Sequence, residues 1–564
     1  MNMSAKTTIA MLPTTGSRTS TGSSSRVPAV AGTPASRGAG IPDLPPDLAS
    51  YVVYIVGPED HLIVHVDERQ KMSSPFLTWK NRLTQAGLGF SVESVTIARL
   101  QELKQGRASV ARDDGGQQTL QLARRLFQLA DAAGISDIAI IKGALDTRVV
   151  VRLDGSLFIA GGDQGQYSML PEEGTRFERS IYNGLATNKT TENATLDPRA
   201  FQDATINGDA LPGTGIQNAR VIRGPADPID AGGGFLIARL QARPGANRVI
   251  DRKAARRALK LTPLPVPKGE FVINGLRPDQ IEKLKILASK PDGMIAFIGP
   301  TGSGKTSAQY KMLEYIAHTF PDRRHVTIEN PPEYVMPWAI QLLAGDRSFV
   351  DLLAKTLRMD PDVLMLGEIR DAPEAWAALQ AALTGHLVFS TSHVKDPYRF
   401  FQRIEDMDPT RLSRRVICDH EQILGLVGLR VLPLLCQYCR QPLSTAGPGA
   451  VPEHLISALR TWGRPLDRVH IKGHGCEHCD GTGLNGRQAI AEIVITDSEL
   501  MDDMRTLPVA EVKRRHRARP GVDHSLVAAA TALVLSGVAC PLQTQLRIDL
   551  TPSDGETLPV EETP

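Results

Sequence analysis

The spacing of apolar residues changes character several times along the chain. Residues 1–45 are Ser, Thr, Ala, Pro and Gly with almost no large apolar side chains, too little to offset the entropy of ordering, and are expected to form a disordered tail. Residues 51–56 and 62–66 are β-rich runs flanking Gly57-Pro58-Glu59-Asp60, a turn sequence, and the stretch 74–103 is partly helical. Together they predict a small α/β unit over 46–115. Leu122, Leu126, Leu129 and Ala133 share one helix face, and strand-like runs follow at 135–141, 148–153 and 157–159, with Asp154-Gly155 as a hairpin turn. A second α/β unit is therefore expected over 116–243, and the basic, proline-bearing stretch 244–268 reads as a linker. From 269 to 550 apolar runs alternate with helical patterns. The runs 294–298, 326–328, 363–366 and 387–390 lack alternation, as expected of strands covered by helices on both sheet faces. An acidic tail occupies 551–564.

Composition narrows the class. The 564 residues exceed one ordinary domain, and 41% hydrophobic with 22% charged residues is close to a globular average. The 64 basic and 62 acidic side chains nearly cancel to a net +2, which excludes a chain-wide basic coat for nucleic acid. Six cysteines are too few for a disulfide scaffold of this size, and the first residues lack the pattern of a signal peptide. Both point to a reducing, cytoplasmic compartment. The uncharged run 526–542 is rich in Ala, Ser and Gly and reads as a buried helix rather than a membrane span.

Four clusters carry chemistry. Gly299-Pro300-Thr301-Gly302-Ser303-Gly304-Lys305-Thr306 fits the phosphate loop GxxxxGK(S/T), fed by an apolar strand and followed by a helix with Ala308, Met312 and Ile316 on one face. Its amides and the helix N-terminus would face phosphates, Lys305 would reach the β- and γ-phosphates, and the Thr306 hydroxyl would ligate Mg²⁺. The run 363–366 delivers Glu368 beside it, a candidate to activate water. Gly367 stands where many phosphate-loop enzymes place a Mg²⁺-binding Asp. Asp371, with Glu374 three residues on, reads as a helix cap. Glu329 and Glu333 follow another strand, either to orient water or metal or as a loop charge cluster. His386 and His393 bracket the strand at 387–391, one a candidate phosphate sensor, with a bonded core histidine as the commoner reading of either. Cys436-Gln437-Tyr438-Cys439 and Cys476-Glu477-His478-Cys479 read as two knuckles of a structural Cys₄ zinc site in a subdomain over 430–490. A redox pair or buried free thiols are the competing readings, and His474 and His478 are alternative ligands.

With these residues in hand, the third unit resembles the type II secretion and type IV pilus assembly ATPases. The stretch 357–371, Leu-Arg-Met-Asp-Pro-Asp-Val-Leu-Met-Leu-Gly-Glu-Ile-Arg-Asp, is similar to that family's signature around its catalytic glutamate. Residues 384–393 resemble its His box, 327–334 its Asp box, and 436–492 its tetracysteine region, including Gly483-Leu484-Asn485-Gly486-Arg487. The resemblance covers roughly 117–550, weakly before 244, where Ala139 replaces a common His. Asn330 replaces the usual Asp of the Asp box, which shifts weight to Glu329 and Glu333. The resemblance implies a RecA-like phosphate-loop domain, a smaller PAS-like N-terminal α/β domain, and a homohexamer hydrolysing ATP. It also implies docking on an inner-membrane platform protein, with inter-subunit arginines near Arg148, Arg152, Arg220 or Arg239. No nucleic-acid partner is expected. The paired CxxC favours pilus extension or secretion over retraction or conjugation-type transfer. A nucleotide-binding assembly factor without turnover is the non-enzymatic alternative.

Overall fold

The computed structural model describes residues 52–56, 61–67, 71–95 and 114–558, apart from 145, 190–194, 245–250, 266, 268–269, 346 and 553–555, with isolated positions at 41–48 and 100. The N-terminal tail up to residue 40, the turn at 57–60 and the end of the acidic tail lie outside the described residues. The chain divides into two compact units, Met1–Gln117 and Gln118–Pro564.

In the first unit β1 (Val52–Val56) pairs antiparallel with β2 (Leu62–Asp67), and β2 pairs parallel with β3 (Phe90–Val95). Helix α1 (Ser74–Gln85) joins β2 to β3 and is capped by Ser73. Its Phe76 and Trp79 are buried on Val64 and Val66 of the sheet, and the Trp79 indole N–H donates to the Pro42 carbonyl at 3.1 Å.

The second unit opens with α2 (Asp114–Ala133), whose Leu126, Leu129 and Ala133 are buried as their spacing predicts. Strands β4 (Ile135–Lys142), β5 (Thr147–Leu153) and β6 (Ser156–Ala160) follow. Asp154 and Gly155 both take positive φ (50° and 87°), which the two-residue hairpin requires. After β7 (Ser168–Met169), α3 (Pro171–Gly184) and β8 (Asn188–Lys189) come β9 (Gln202–Asn207), β10 (Ile216–Pro225) and β11 (Gly234–Ala242). The stretch 244–268, read as a linker, carries α4 (Arg252–Leu259) and β12 (Leu261–Pro263) instead. Ala255 and Leu259 are buried and β12 pairs with β6, so this segment extends the sheet. The strand order is β12-β6-β5-β4-β11-β10-β9-β8, with β7 beside β5. One face packs on α2 and α3. The other face, through Ala139, Val150, Phe235 and Ile237, joins the core of the domain that follows.

That domain contains α5 (Pro278–Ser289), β13 (Gly293–Ile298), α6 (Lys305–Thr319), β14 (His325–Glu329), β15 (Ala339–Leu343), α7 (Phe349–Thr356), β16 (Val363–Glu368), α8 (Ala372–Leu383) and β17 (Leu387–Ser392). Next come α9 (Arg399–Met407), α10 (Arg414–Ile417) and the long β18 (Ile423–Leu435). Short strands β19 (Gln441–Pro442) and β20 (His470–Ile471) flank α11 (Glu453–Arg460), and β21 (Leu484–Ile495) closes the sheet. The order is β15-β14-β16-β17-β13-β18-β21, parallel except for the β18–β21 pair. All six residues of β13 are buried. Met294, Ala296 and Ile298 face the α8 side, whereas Ile295 and Phe297 face α6 and its Met312 and Ile316. Burial on both faces is why the sequence shows no alternation there. The phosphate-loop strand β13 lies one strand away from β16, the order of a RecA-like domain. Helices α12 (Ser498–Thr506), α13 (Val509–Arg517), α14 (Leu526–Leu535) and α15 (Pro541–Gln545) complete the chain. The basic run on α13 is neutralised internally, with Lys513 on Asp396, Arg515 on Asp503 and Arg517 on Glu492. Among the described residues no helix is long and apolar enough to cross a membrane.

Candidate functional site

Parallel strands all release their C-terminal ends on one edge, and that edge gathers the candidate groups. β13 runs into the loop 299–304, and Gly304, at φ 88°, caps α6 in the left-handed region. A Cβ on Gly299 would sit 2.5 Å from Ser303 Oγ and 2.7 Å from the Leu429 carbonyl, so the loop approaches its own turn and β18 too closely for any other residue. Lys305 opens α6, is 7% exposed, and donates through Nζ to the carbonyls of Gly299 (2.8 Å) and Pro300 (3.0 Å). Burial holds its ammonium below the usual range, with the Glu368 carboxylate pulling the other way. Thr306 follows, half-buried, on the cavity wall.

Glu368 ends β16. Its Oε2 lies 3.2 Å from Arg370 Nε, and its Oε1 lies 3.2 Å from His393 Nε2. His393 follows the end of β17, whose Thr391 is in register with Glu368 and donates to the Gly367 carbonyl at 2.8 Å. Glu329 ends β14 and is 5% exposed. Burial raises its carboxyl, opposed by donors from Thr327 Oγ1 (2.6 Å) and Gln341 Nε2 (3.1 Å). Glu333 is exposed on the loop beyond it. Lys305, Thr306, Glu329, Glu333, Glu368 and His393 converge on one cavity of about 760 Å³. Asp371 caps α8, accepting from the Glu374 amide at 2.9 Å.

Of the residues expected from the sequence around the phosphate site, Gly299, Pro300, His386, Arg148, Arg152, Arg220 and Arg239 do not line this cavity. His386 immediately precedes β17, at the end of the strand away from His393, roughly 20 Å distant at the rise of an extended chain. Its Nδ1 lies 2.9 Å from the Ala381 carbonyl and 3.2 Å from Thr384 Oγ1, so it is a bonded strand-end histidine rather than a sensor of the cavity. Arg220 is exposed on β10. Arg239 is bound between Asp137 (2.9 Å) and Asp360. Arg152 makes the same kind of bridge, to Asp360 and Asp362 at 2.7 Å each, which ties the N-terminal sheet to the turn before β16. Arg347, Arg370 and Arg487 line the cavity and were not singled out. Arg370 and Arg487 stood inside recognised motifs, where their charge was the available signal; nothing local marked Arg347.

The second cluster is built by β18 and β21. Leu435 pairs with Leu484, which brings Cys436 at the end of one strand beside the turn 476–483 before the other. Sulfur–sulfur separations are 3.8 Å for Cys436–Cys476, Cys439–Cys479 and Cys476–Cys479, and all four lie within 4.8 Å of one another. A tetrahedron with metal–sulfur bonds of about 2.3 Å has edges of about 3.8 Å, so the cage fits zinc. The amides of Cys476 and Gly483 donate to Cys479 Sγ at 3.2 and 3.1 Å. A Cβ on Gly473 would fall 1.8 Å from the Cys439 carbonyl, so only glycine fits against that knuckle. The His478 ring stacks on Tyr438 at 3.8 Å, and neither it nor His474 belongs to the four-thiol group.

Comparison with known proteins agrees with this arrangement. Residues 253–543 match the model of a family described as "Type II/IV secretion system protein". The type IV pilus assembly ATPase PilB of Thermus thermophilus is 35% identical over 257 residues, 45% of this chain and 27% of that one. The type II secretion system protein E of Aeromonas hydrophila is 35% identical over 293 residues, 50% of this chain and 52% of that one. A putative type II secretion system protein E of Escherichia coli is 36% identical over 224 residues, 39% and 42% of the two chains. The chain thus spans about half or less of the length of these curated relatives. On the match over residues 253–543, it belongs to the type II/IV secretion system protein family.

Proposed function

We propose that the chain is a motor ATPase that powers type II secretion or pilus extension. The observation that carries this reading is the convergence of Lys305, Glu368 and Glu329 on one cavity at the C-terminal edge of the parallel sheet. ATP would lay its phosphates on the loop amides and the α6 N-terminus, with Lys305 leaving its two carbonyls for the β- and γ-phosphates. Mg²⁺, held by Thr306, would neutralise charge on the same oxygens when bound. Glu368, already fixed from two sides by Arg370 and His393, would orient the attacking water, and Glu329 or Glu333 would share that task. His393, paired with Glu368, would register the γ-phosphate. On taking a proton from the attacking water the Glu368 carboxylate would become neutral and loosen its pairs with Arg370 and His393, which would couple chemistry to movement of the β16 and β17 loops.

Arg220 and Arg239 lie on the sheet of the N-terminal domain and would act toward a neighbouring subunit of a homohexamer. The ring would work in the cytoplasm against an inner-membrane platform protein. The thiol cage would hold structural Zn²⁺, and it favours the extension and secretion branch over retraction or conjugation-type transfer. The deciding experiment pairs turnover with binding. Glu368→Gln should bind a fluorescent ATP analogue as the wild type does while phosphate release falls at least about 100-fold. Normal turnover in that variant would remove Glu368 from its role, and a wild type that binds ATP without releasing phosphate would leave an assembly factor.

A further inference from the structure

Gln341 lies on the edge strand β15, in register with Thr327 of β14, and is 4% exposed. Every polar atom of its side chain is used. Nε2 donates to Glu329 Oε1 (3.1 Å) and to the Tyr334 carbonyl (2.9 Å), while Oε1 accepts the Met336 amide (2.7 Å). Its backbone carbonyl accepts the Asp227 amide at 2.8 Å, from the turn between β10 and β11 of the N-terminal sheet. One residue thus fixes the carboxylate, pins the loop that carries Glu333 and Tyr334, and attaches its strand to the other domain. Charge facing Glu329 comes from Glu333, whose carboxylate raises the group and whose backbone amide lowers it.

We infer that Gln341 is a positioning residue for the cavity, holding Glu329 aimed, and that the N-terminal sheet reaches Glu329 through the β15 backbone. This rests on the reading of Glu329 as part of an ATP-hydrolysing site. A buried carboxylate that loses a donor becomes easier to protonate, and a loop that loses two bonds no longer holds its carboxylate within reach of water. Neither consequence follows from a residue that only fills the sheet edge.

The test measures kcat, KM for ATP and the pH dependence of kcat in Gln341→Met and Gln341→Glu. The Met variant keeps length and removes all three side-chain bonds; the Glu variant retains an acceptor for the Met336 amide and places a second carboxylate beside Glu329. We expect kcat to fall roughly tenfold or more in both with KM within about twofold. The acid limb of the kcat profile should move up by about one pH unit in Met, and further in Glu. A fall in kcat with an unmoved acid limb, or wild-type kinetics in either soluble variant, would overturn the inference. If Gln341→Met does not fold, Gln341→Glu alone decides it. A wild type without phosphate release would instead overturn the ATPase reading, so the two failures are distinct.

Discussion

At the phosphate-loop cavity the charged groups come from separate strand ends and the start of α6, and each is held by bonds that can be exchanged. Lys305 rests on two carbonyls of its own loop, Glu368 sits between Arg370 and His393, and Glu329 hangs from Thr327 and Gln341. At the thiol cluster the four sulfurs come from two tight turns, locked by amides on Cys479 and by a backbone contact that admits only glycine at 473. The first site is assembled across the sheet and can be rearranged by what binds there. The second is assembled by local backbone geometry and has one arrangement.

The largest break in this contrast should come from Cys436→Ser. Structural zinc contributes on the order of 10 kcal/mol to the folding of small metal sites, so zinc content should fall from about one per chain to none. Proteolysis should then open residues 436–483 while nucleotide binding persists. Metal analysis with limited digestion checks this, and simultaneous loss of ATP binding would mean the sites are not separate. Lys305→Ala should weaken ATP binding at least about 100-fold, by loss of a charge-assisted contact to phosphate, without changing zinc content. Equilibrium titration with a fluorescent analogue reads that effect. Arg152→Ala removes the bridge to Asp360 and Asp362 and should cost about 2 to 3 kcal/mol in denaturant unfolding, between the values for exposed and buried pairs. An unchanged midpoint would mean that the N-terminal sheet is held by apolar packing alone.

The smallest effect is conditional on pH. His325, at the start of β14, is 2% exposed, neither ring nitrogen has a hydrogen-bond partner, and burial pushes it down to about 3. Its folded value lies below the unfolded one, so the stability it permits is complete above about pH 6.5 and declines as pH falls toward 3. His325→Leu should therefore flatten the loss of thermal stability between pH 6.5 and 5, a gain of about 2 kcal/mol at pH 5, and leave pH 8 nearly unchanged. A uniform shift at all pH values would point to packing instead.

The contrast also sets what could be read from the sequence. The phosphate loop and the thiol pairs are local: contiguous residues impose their own geometry, so spacing alone located Lys305 and Cys436. Glu368 and Glu329 were found because apolar strands in a parallel sheet deliver their following residues to one edge. Hidden were the contacts made only when distant segments meet. Gln341 looks like any polar residue on an edge strand until its amide is seen on Glu329. Arg152 and Arg239 carried the right charge, but their partner Asp360 lies more than a hundred residues away. The segment 244–268 misled because its basic helix shows few apolar positions, and burial of Ala255 and Leu259 is enough to fasten it. His386 misled because it shares a motif with His393 but precedes its strand, and of the residues flanking a parallel strand only those that follow it reach the cavity edge.

Strand β18 has a geometry whose effect reaches beyond either site. Of its 13 residues, 423–428 run beside the phosphate-loop strand, and Leu429 and Val431 stand against Gly299 and Gly304. The same rod then continues about 16 Å further to Cys436 at its tip. With β21 bracing it along nearly its whole length, a displacement where the loop meets the strand would be passed along its axis to the knuckles. The thiol cage thus rides at the end of an arm whose base is the sheet and whose near end touches the loop.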